Sequence, residues 1–243
     1  MKESAKERLI FALDVDDFAI AEKWVARLRE CVGVFKVGKQ LFTRCGPDIV
    51  RMIRAHGGEV FLDLKYHDIP NTVAKAAVEA CKLDVKIFNV HALGGVEMMR
   101  KTVEEVELYC SEAKVKKPMM LAVTILTSST EETLKSVGID RSVDEMVPRL
   151  AKLAQDAGMD GVVASPKEVS LIRQACGDNF AIVTPGVRPA FAAMDDQKRV
   201  TTPAEAISAG ATSLVIGRPI SAAKDPLAAA ALILAEIETA LGS

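Results

Sequence analysis

The chain has 243 residues, 49% of them hydrophobic and 26% charged, with a formal net charge of -2. That is enough apolar material for one large domain or two small ones, and no run of Lys or Arg points to a nucleic acid or a membrane surface. No segment approaches the length of a transmembrane helix, and the polar start, residues 1–8, leads into a short strand rather than a signal-peptide apolar stretch. Cys31, Cys45, Cys81, Cys110 and Cys176 are odd in number, scattered, and form no CxxC pair. This argues against a zinc site or a disulfide scaffold and fits a reducing cytosol, hence a cytoplasmic protein.

In chain order, short β-branched apolar runs alternate with amphipathic stretches. Strands are predicted at residues 9–13, 34–37, 60–64, 87–91, 119–124, 161–164, 181–184 and 213–216. Helices are predicted between them at 20–29, 47–55, 72–82, 96–109, 146–157, 166–175 and 203–209, with a last helix at 226–241. Eight strand-then-helix repeats favour an α/β fold of the closed (β/α)8 (TIM) barrel type, as a single domain over residues 1–243. An open doubly wound sheet is the alternative. The longest irregular stretch, residues 186–202, follows the seventh strand, and a loop of that length in a compact domain is usually functional.

In such barrels the chemistry sits at the carboxyl ends of the strands. Charged and polar residues recur there: Asp14 after strand one, Lys36 in strand two, Asp63 and Lys65 in strand three, His91 at the end of strand four. Asp63 and Lys65 are spaced i, i+2, which puts both on one face of a strand, and Asp68 follows three residues later. Charges at the end of a buried strand are costly unless paired. Lys36, Asp63, Lys65 and Asp68 therefore read as an alternating array, preorganised to repel one substrate charge and stabilise another, or as an ion-pair network closing the barrel top. Asp14 and Asp63 also suit Mg²⁺, although two lysines already supply positive charge.

Thr184-Pro-Gly-Val-Arg-Pro189 and Val215-Ile-Gly-Arg-Pro219 follow strands seven and eight, where barrels commonly hold phosphate on loop amides and guanidinium groups. Gln197, in the long loop, is placed to close over that phosphate. Thr124-Ile-Leu-Thr-Ser-Ser129 offers hydroxyls and amides for the edge of a planar heterocycle, with an ST-turn or helix cap as the structural alternative. His91 reads as a hydrogen-bonding support for the site rather than as its acid or base. Lys39, Arg44 and His67 read as solvated or supporting residues, and the Lys/Glu-rich stretch 104–117 as an exposed helix face and the loop after it.

Taken together, several segments resemble the orotidine 5'-phosphate decarboxylase family. They are Ala12-Leu-Asp14, Phe35-Lys-Val-Gly38, Asp63-Leu-Lys-Tyr-His-Asp-Ile-Pro-Asn-Thr72, Val90-His-Ala92, Leu126-Thr-Ser128, Thr184-Pro-Gly-Val-Arg188, Asp196-Gln-Lys-Arg-Val200 and Gly217-Arg218. They span nearly the whole chain in the family's order; Lys39 stands where bacterial members often carry an apolar residue. The resemblance implies a (β/α)8 homodimer, without metal or organic cofactor, that converts orotidine 5'-phosphate to uridine 5'-phosphate, the last step of pyrimidine nucleotide synthesis. It implies that Asp14 and Lys36 hold ribose hydroxyls, that Asp63 faces the substrate carboxylate and that Lys65 donates the proton to C6. Asp68, Ile69 and Thr72 would reach into the neighbouring subunit's site, and Thr127 and Ser128 would contact the pyrimidine. Pro185, Arg188, Gln197, Gly217 and Arg218 would surround the phosphate. A similar D-x-K-x-x-D segment also resembles the Mg²⁺-dependent hexulose-6-phosphate synthases and 3-keto-gulonate-6-phosphate decarboxylases; Ile69-Pro-Asn-Thr72, the Leu-Thr-Ser segment and Gln197 favour the nucleotide enzyme. A non-catalytic nucleotide-binding barrel is the third possibility.

Overall fold

A computed structural model describes residues 4–192 and 201–242. Eight strands, β1 (Leu9–Ala12), β2 (Val34–Gly38), β3 (Glu59–Tyr66), β4 (Ile87–His91), β5 (Met119–Val123), β6 (Gly161–Val163), β7 (Ala181–Pro185) and β8 (Ser213–Ile216), close a barrel in chain order. Every pairing is parallel, and β8 returns to β1 with Leu9 beside Leu214 and Phe11 beside Ile216. The closed barrel, rather than the open sheet, is therefore the fold. Among the described residues no helix is long and apolar enough to cross a membrane.

Period-two alternation divides the strand residues into two sets. Ile10, Ala12, Val34, Phe61, Ile87, Leu121, Val183 and Val215 fill the barrel interior. Their neighbours in sequence, among them Phe11, Phe35, Leu62, Phe88, Met120, Ile182 and Ile216, pack outward against the helices. Continuing the inward parity by two residues from Val34, Phe61 and Ile87 gives Lys36, Asp63 and Asn89. The polar layer thus rests on an apolar plug.

The expected helices lie close to the predicted spans: Phe18–Leu28, Asp48–Ala55, Pro70–Lys82, Gly95–Ala113, Val143–Asp156, Val169–Cys176, Pro203–Ser208 and Pro226–Leu241. Side-chain caps start several of them, as where Asp17 accepts from the Ala19 and Ile20 amides and Ser142 and Glu145 form a reciprocal capping box. Four short helices, Ala5–Arg8, Lys39–Cys45, Glu131–Ser136 and Arg218–Ser221, were not expected. Each has at most two turns, too few to establish an apolar period. The stretch 104–117 behaves as expected: the helix ends at Ala113, and Lys114 turns left-handed (φ 54°) to leave it.

At β6 the barrel wall is tight enough to dictate a residue. A methyl group on Gly161 would lie 2.3 Å from the Ala181 carbonyl oxygen and 2.6 Å from the Ala181 Cβ. We expect Gly161→Ala to lower the unfolding free energy by about 1–3 kcal/mol through forced separation of β6 from β7, measured by chemical denaturation.

Candidate active site

At the carboxyl end of the barrel, four side chains, one just beyond β1, one on β2 and two on β3, form a line of alternating charge. Lys36 Nζ lies 3.2 Å from Asp14 Oδ1 and 3.4 Å from Asp63 Oδ2, and Lys65 Nζ lies 2.5 Å from Asp63 Oδ1. Asp63 is the buried member, its side chain 12% exposed. Burial by itself would push its carboxyl up. The Lys36 and Lys65 ammonium groups, with hydrogen bonds from Lys65 and Asn89, outweigh that and hold it below the usual carboxylate range. The four groups border a cleft of about 230 Å³, to which Lys39 also contributes.

Two expectations about this array are corrected. The fourth member is Asp14, not Asp68: the Asp68 carboxylate is exposed and accepts from the Ile69 backbone N–H at 2.7 Å. Asp68 lies at a bend between the end of β3 and the helix Pro70–Lys82. The second correction concerns β3. Asp63 and Lys65 do meet, but not through a regular i, i+2 strand spacing. Pairing with β4 jumps from Leu62–Phe88 to Tyr66–Val90, four residues along one strand against two along the other. Lys65 sits in this bulge with a φ of 52°, a left-handed conformation that costs a side-chain-bearing residue about 1–2 kcal/mol.

Asn89 escaped the sequence reading. It is fully buried on β4, opposite the bulge. Its Nδ2 donates to Asp63 Oδ1 at 2.7 Å, and its Oδ1 accepts from the Lys65 backbone N–H at 2.8 Å. The signal was present: a polar residue two positions before His91, on the inward parity of an apolar strand. The hydrogen-bonding support expected of His91 is not seen at its Nδ1, which is buried without a partner among the described residues, and its ring lies 5.6 Å from that of His67. Burial first, then His67, Lys65 and Lys39, push the His91 ring down to about 4, so it is neutral.

At the same end of the barrel, Arg188 follows β7 and Arg218 follows β8. Neither guanidinium bonds another described residue, although the Arg188 backbone N–H donates to the Thr201 carbonyl. Pro185 ends β7 half-buried, and Gly217 joins β8 to Arg218. A Cβ on Gly217 would approach Ala12 Cβ at 3.2 Å and Asp14 Oδ2 at 4.0 Å, so glycine keeps this loop close to the charged line. Gln197 lies outside the described residues. Thr127 and Ser128 stand exposed in a turn closed by the Ser129 N–H to the Leu126 carbonyl, and neither caps a helix. That role belongs to Thr130, while buried Thr124 bonds the Val163 carbonyl. Ile69 is 66% exposed at the start of the helix Pro70–Lys82, with Thr72 exposed in its first turn.

A closed parallel barrel with its charged groups gathered at the carboxyl ends of the strands defines the class of (β/α)8-barrel enzymes. Residues 7–233 match the model of the Orotidine 5'-phosphate decarboxylase / HUMPS family, and the chain belongs to that family. It is 67% identical over 237 residues to an orotidine 5'-phosphate decarboxylase of Syntrophotalea carbinolica, covering 98% of this chain and 97% of that one. It is 63% identical over 236 residues to that of Geobacter metallireducens, covering 97% and 98%. Among solved structures, that of orotidine 5'-phosphate decarboxylase from Lactobacillus acidophilus superposes with a TM-score of 0.80 at 37% identity, covering 94% of this chain and 98% of that one.

The state of His91 sets a stability prediction. Its folded value, about 4, lies below its ordinary 6.5, so the unfolded chain binds the proton first as the solution is acidified. The stabilisation is complete above about pH 6.5 and is lost as pH falls toward about 4. Denaturant unfolding across that window is expected to show a shallower acid decline for His91→Leu than for the wild type.

Proposed function

We propose that this chain removes CO2 from orotidine 5'-phosphate to give uridine 5'-phosphate, the closing step of pyrimidine nucleotide synthesis. The observation that carries the proposal is the line Asp14–Lys36–Asp63–Lys65, with its one buried carboxylate held ionised between two ammonium groups. The high identity to decarboxylases of that name over nearly the whole chain supports it. Five free cysteines agree with a cytoplasmic setting.

Loss of CO2 breaks the C6–carboxyl bond and leaves its electron pair on C6, in the plane of the ring, where no adjacent π system delocalises it well. Enzymes lower barriers by up to about 23 kcal/mol, and at this site fixed charges supply much of that reduction. Lys65 Nζ faces the developing charge and then gives C6 its proton, leaving a neutral amine that solvent reprotonates. Asp63 stands where the departing carboxylate lies and Lys36 keeps Asp63 ionised. Asp14 and Lys36 meet the ribose hydroxyls, Thr127 and Ser128 the pyrimidine edge. Pro185, Arg188, Gly217 and Arg218, with Gln197, surround the phosphate, whose binding energy is used at a carbon far from it. Against the Mg²⁺-dependent sugar-phosphate alternative, the two carboxylates that would suit the metal, those of Asp14 and Asp63, are already joined through Lys36 Nζ.

The active form is a homodimer in which Asp68, Ile69 and Thr72 complete the partner's site. In support, Asp68 is joined to neither lysine of its own chain, and the apolar Ile69 beside it in sequence stands 66% exposed.

The primary test follows the orotate absorbance with excess EDTA. Wild type is expected to consume the chromophore, and Lys65→Ala to be slower by at least about 10³-fold. Uridine 5'-phosphate binding without turnover would identify a binding barrel instead, and activity lost to EDTA the metal-dependent reading. Arg188→Ala should lose catalytic efficiency well beyond the roughly fivefold expected of one hydrogen bond of about 1 kcal/mol. Mixing inactive Lys65→Ala and Asp68→Ala subunits should restore about a quarter of wild-type activity, because half the dimers then carry one intact site of two.

A further inference from the structure

We propose that Asn89 is a positioning residue of this site, one amide that sets both the direction of the Asp63 carboxylate and the backbone from which Lys65 extends. What it positions these groups toward rests on the decarboxylase reading above.

The argument starts from the bulge. Between Leu62 and Tyr66, β3 carries two more residues than β4 does between Phe88 and Val90, so the regular ladder is interrupted opposite Asn89. An interrupted ladder leaves backbone groups in need of partners. The Asn89 Oδ1 takes the Lys65 N–H that the bulge frees. The same side chain turns its Nδ2 to Asp63 Oδ1, the oxygen that also receives Lys65 Nζ. The result is a closed ring: Asp63 carboxylate, Asn89 amide, Lys65 main chain and Lys65 ammonium back to Asp63. A left-handed backbone at a lysine persists only where its surroundings over-determine it. Here the ring does so, from both ends of the residue.

This task requires the chemistry of asparagine. Aspartate at this place has no donor and adds a second negative charge against Asp63. Leucine, of similar size, offers neither donor nor acceptor. Glutamine is one methylene longer, in a position with no exposed surface. His91, the next inward residue of β4, makes no hydrogen bond through its buried Nδ1 and does not duplicate the role. The titratable groups around Asp63 are Lys36 from β2, Lys65 from β3, Asp14 beyond β1 and the neutral His91 from β4.

The test compares wild type, Asn89→Ala and Leu121→Ala. Leu121 is the β5 register partner of Asn89, equally buried in the interior but outside the ring, and serves as the control for a packing defect. Asn89→Ala is expected to lower kcat by at least about 30-fold while its affinity for uridine 5'-phosphate changes by less than about threefold. Its acid limb of kcat should move to higher pH, because Asp63 loses a donor that favours its ionised form; carbon NMR of labelled aspartate carboxyls reads the same movement without turnover. Leu121→Ala should lower thermal stability and leave the acid limb where it is. Asn89→Ser, which keeps a hydroxyl at the position, is expected to fall between Asn89→Ala and wild type and covers the case in which alanine does not fold. An active wild type with unaltered kcat and acid limb in Asn89→Ala or Asn89→Ser overturns the positioning role alone, as does an equal acid-limb shift in Leu121→Ala. A folded wild type that releases no CO2 overturns the decarboxylase reading, and this proposal with it.

Discussion

Asp63 is an ionised carboxylate inside a barrel, and most of what surrounds it answers the cost of having it there. A buried charge is tolerated when its partners are close and its lone pairs are occupied; removing one partner of such a pair typically costs about 3–5 kcal/mol. Asp63 has Lys36 on one oxygen and Lys65 with Asn89 on the other. Each of these imposes a condition on the chain. Lys36 needs inward parity on β2, Asn89 needs it on β4, and Lys65 needs a bulge and a left-handed backbone. The charges are therefore not decoration on a finished barrel, since three neighbouring strands take their local form from them.

Closure of the barrel supplies the rigidity that this arrangement requires. Because β1 pairs with both β2 and β8, the loop carrying Gly217 and Arg218 comes beside Asp14, and through Asp14 beside Lys36. Residues about 200 positions apart in the chain become neighbours because the barrel closes. The apolar interior, with Phe61 directly below Asp63 in strand parity, keeps the polar layer at one end. Groups mounted on strands in this way hold their spacing better than groups on loops.

Much of this was legible in the sequence, and the exceptions have physical causes. The eight strands were readable because β-branched runs bounded by helical periods are a strong signal when repeated eight times. The four short helices were not, because two turns cannot display a period. Asp63 and Lys65 were rightly placed together, though for a reason only half correct: alternation describes a regular strand, and β3 is irregular at Lys65. Asp68 was placed in the same array by its nearness in sequence, but a turn separates it from the lysines of its own chain. His91 drew attention as a titratable residue while Asn89, two positions earlier, carries the hydrogen bonds. A neutral amide among apolar residues gives no charge pattern to notice, and its meaning appears only when the opposite strand is seen to bulge. Thr127 and Ser128 could not be told from caps until Thr130 was seen to take that role.

The exposure of Asp68, unpaired with either lysine of its own chain, has a consequence for how such a protein behaves at low concentration. On the cross-subunit reading, no isolated chain holds a complete set of charges, so a second copy of the chain acts as a ligand that every site must bind before it can work. Protein concentration then enters the rate law twice, once as the number of sites and once as the occupancy of each by its neighbour. Above the dissociation constant of the pair the second dependence vanishes and turnover is proportional to protein. Below it, activity falls as the square of concentration, and substrate that bridges both chains draws the pair together and partly restores it.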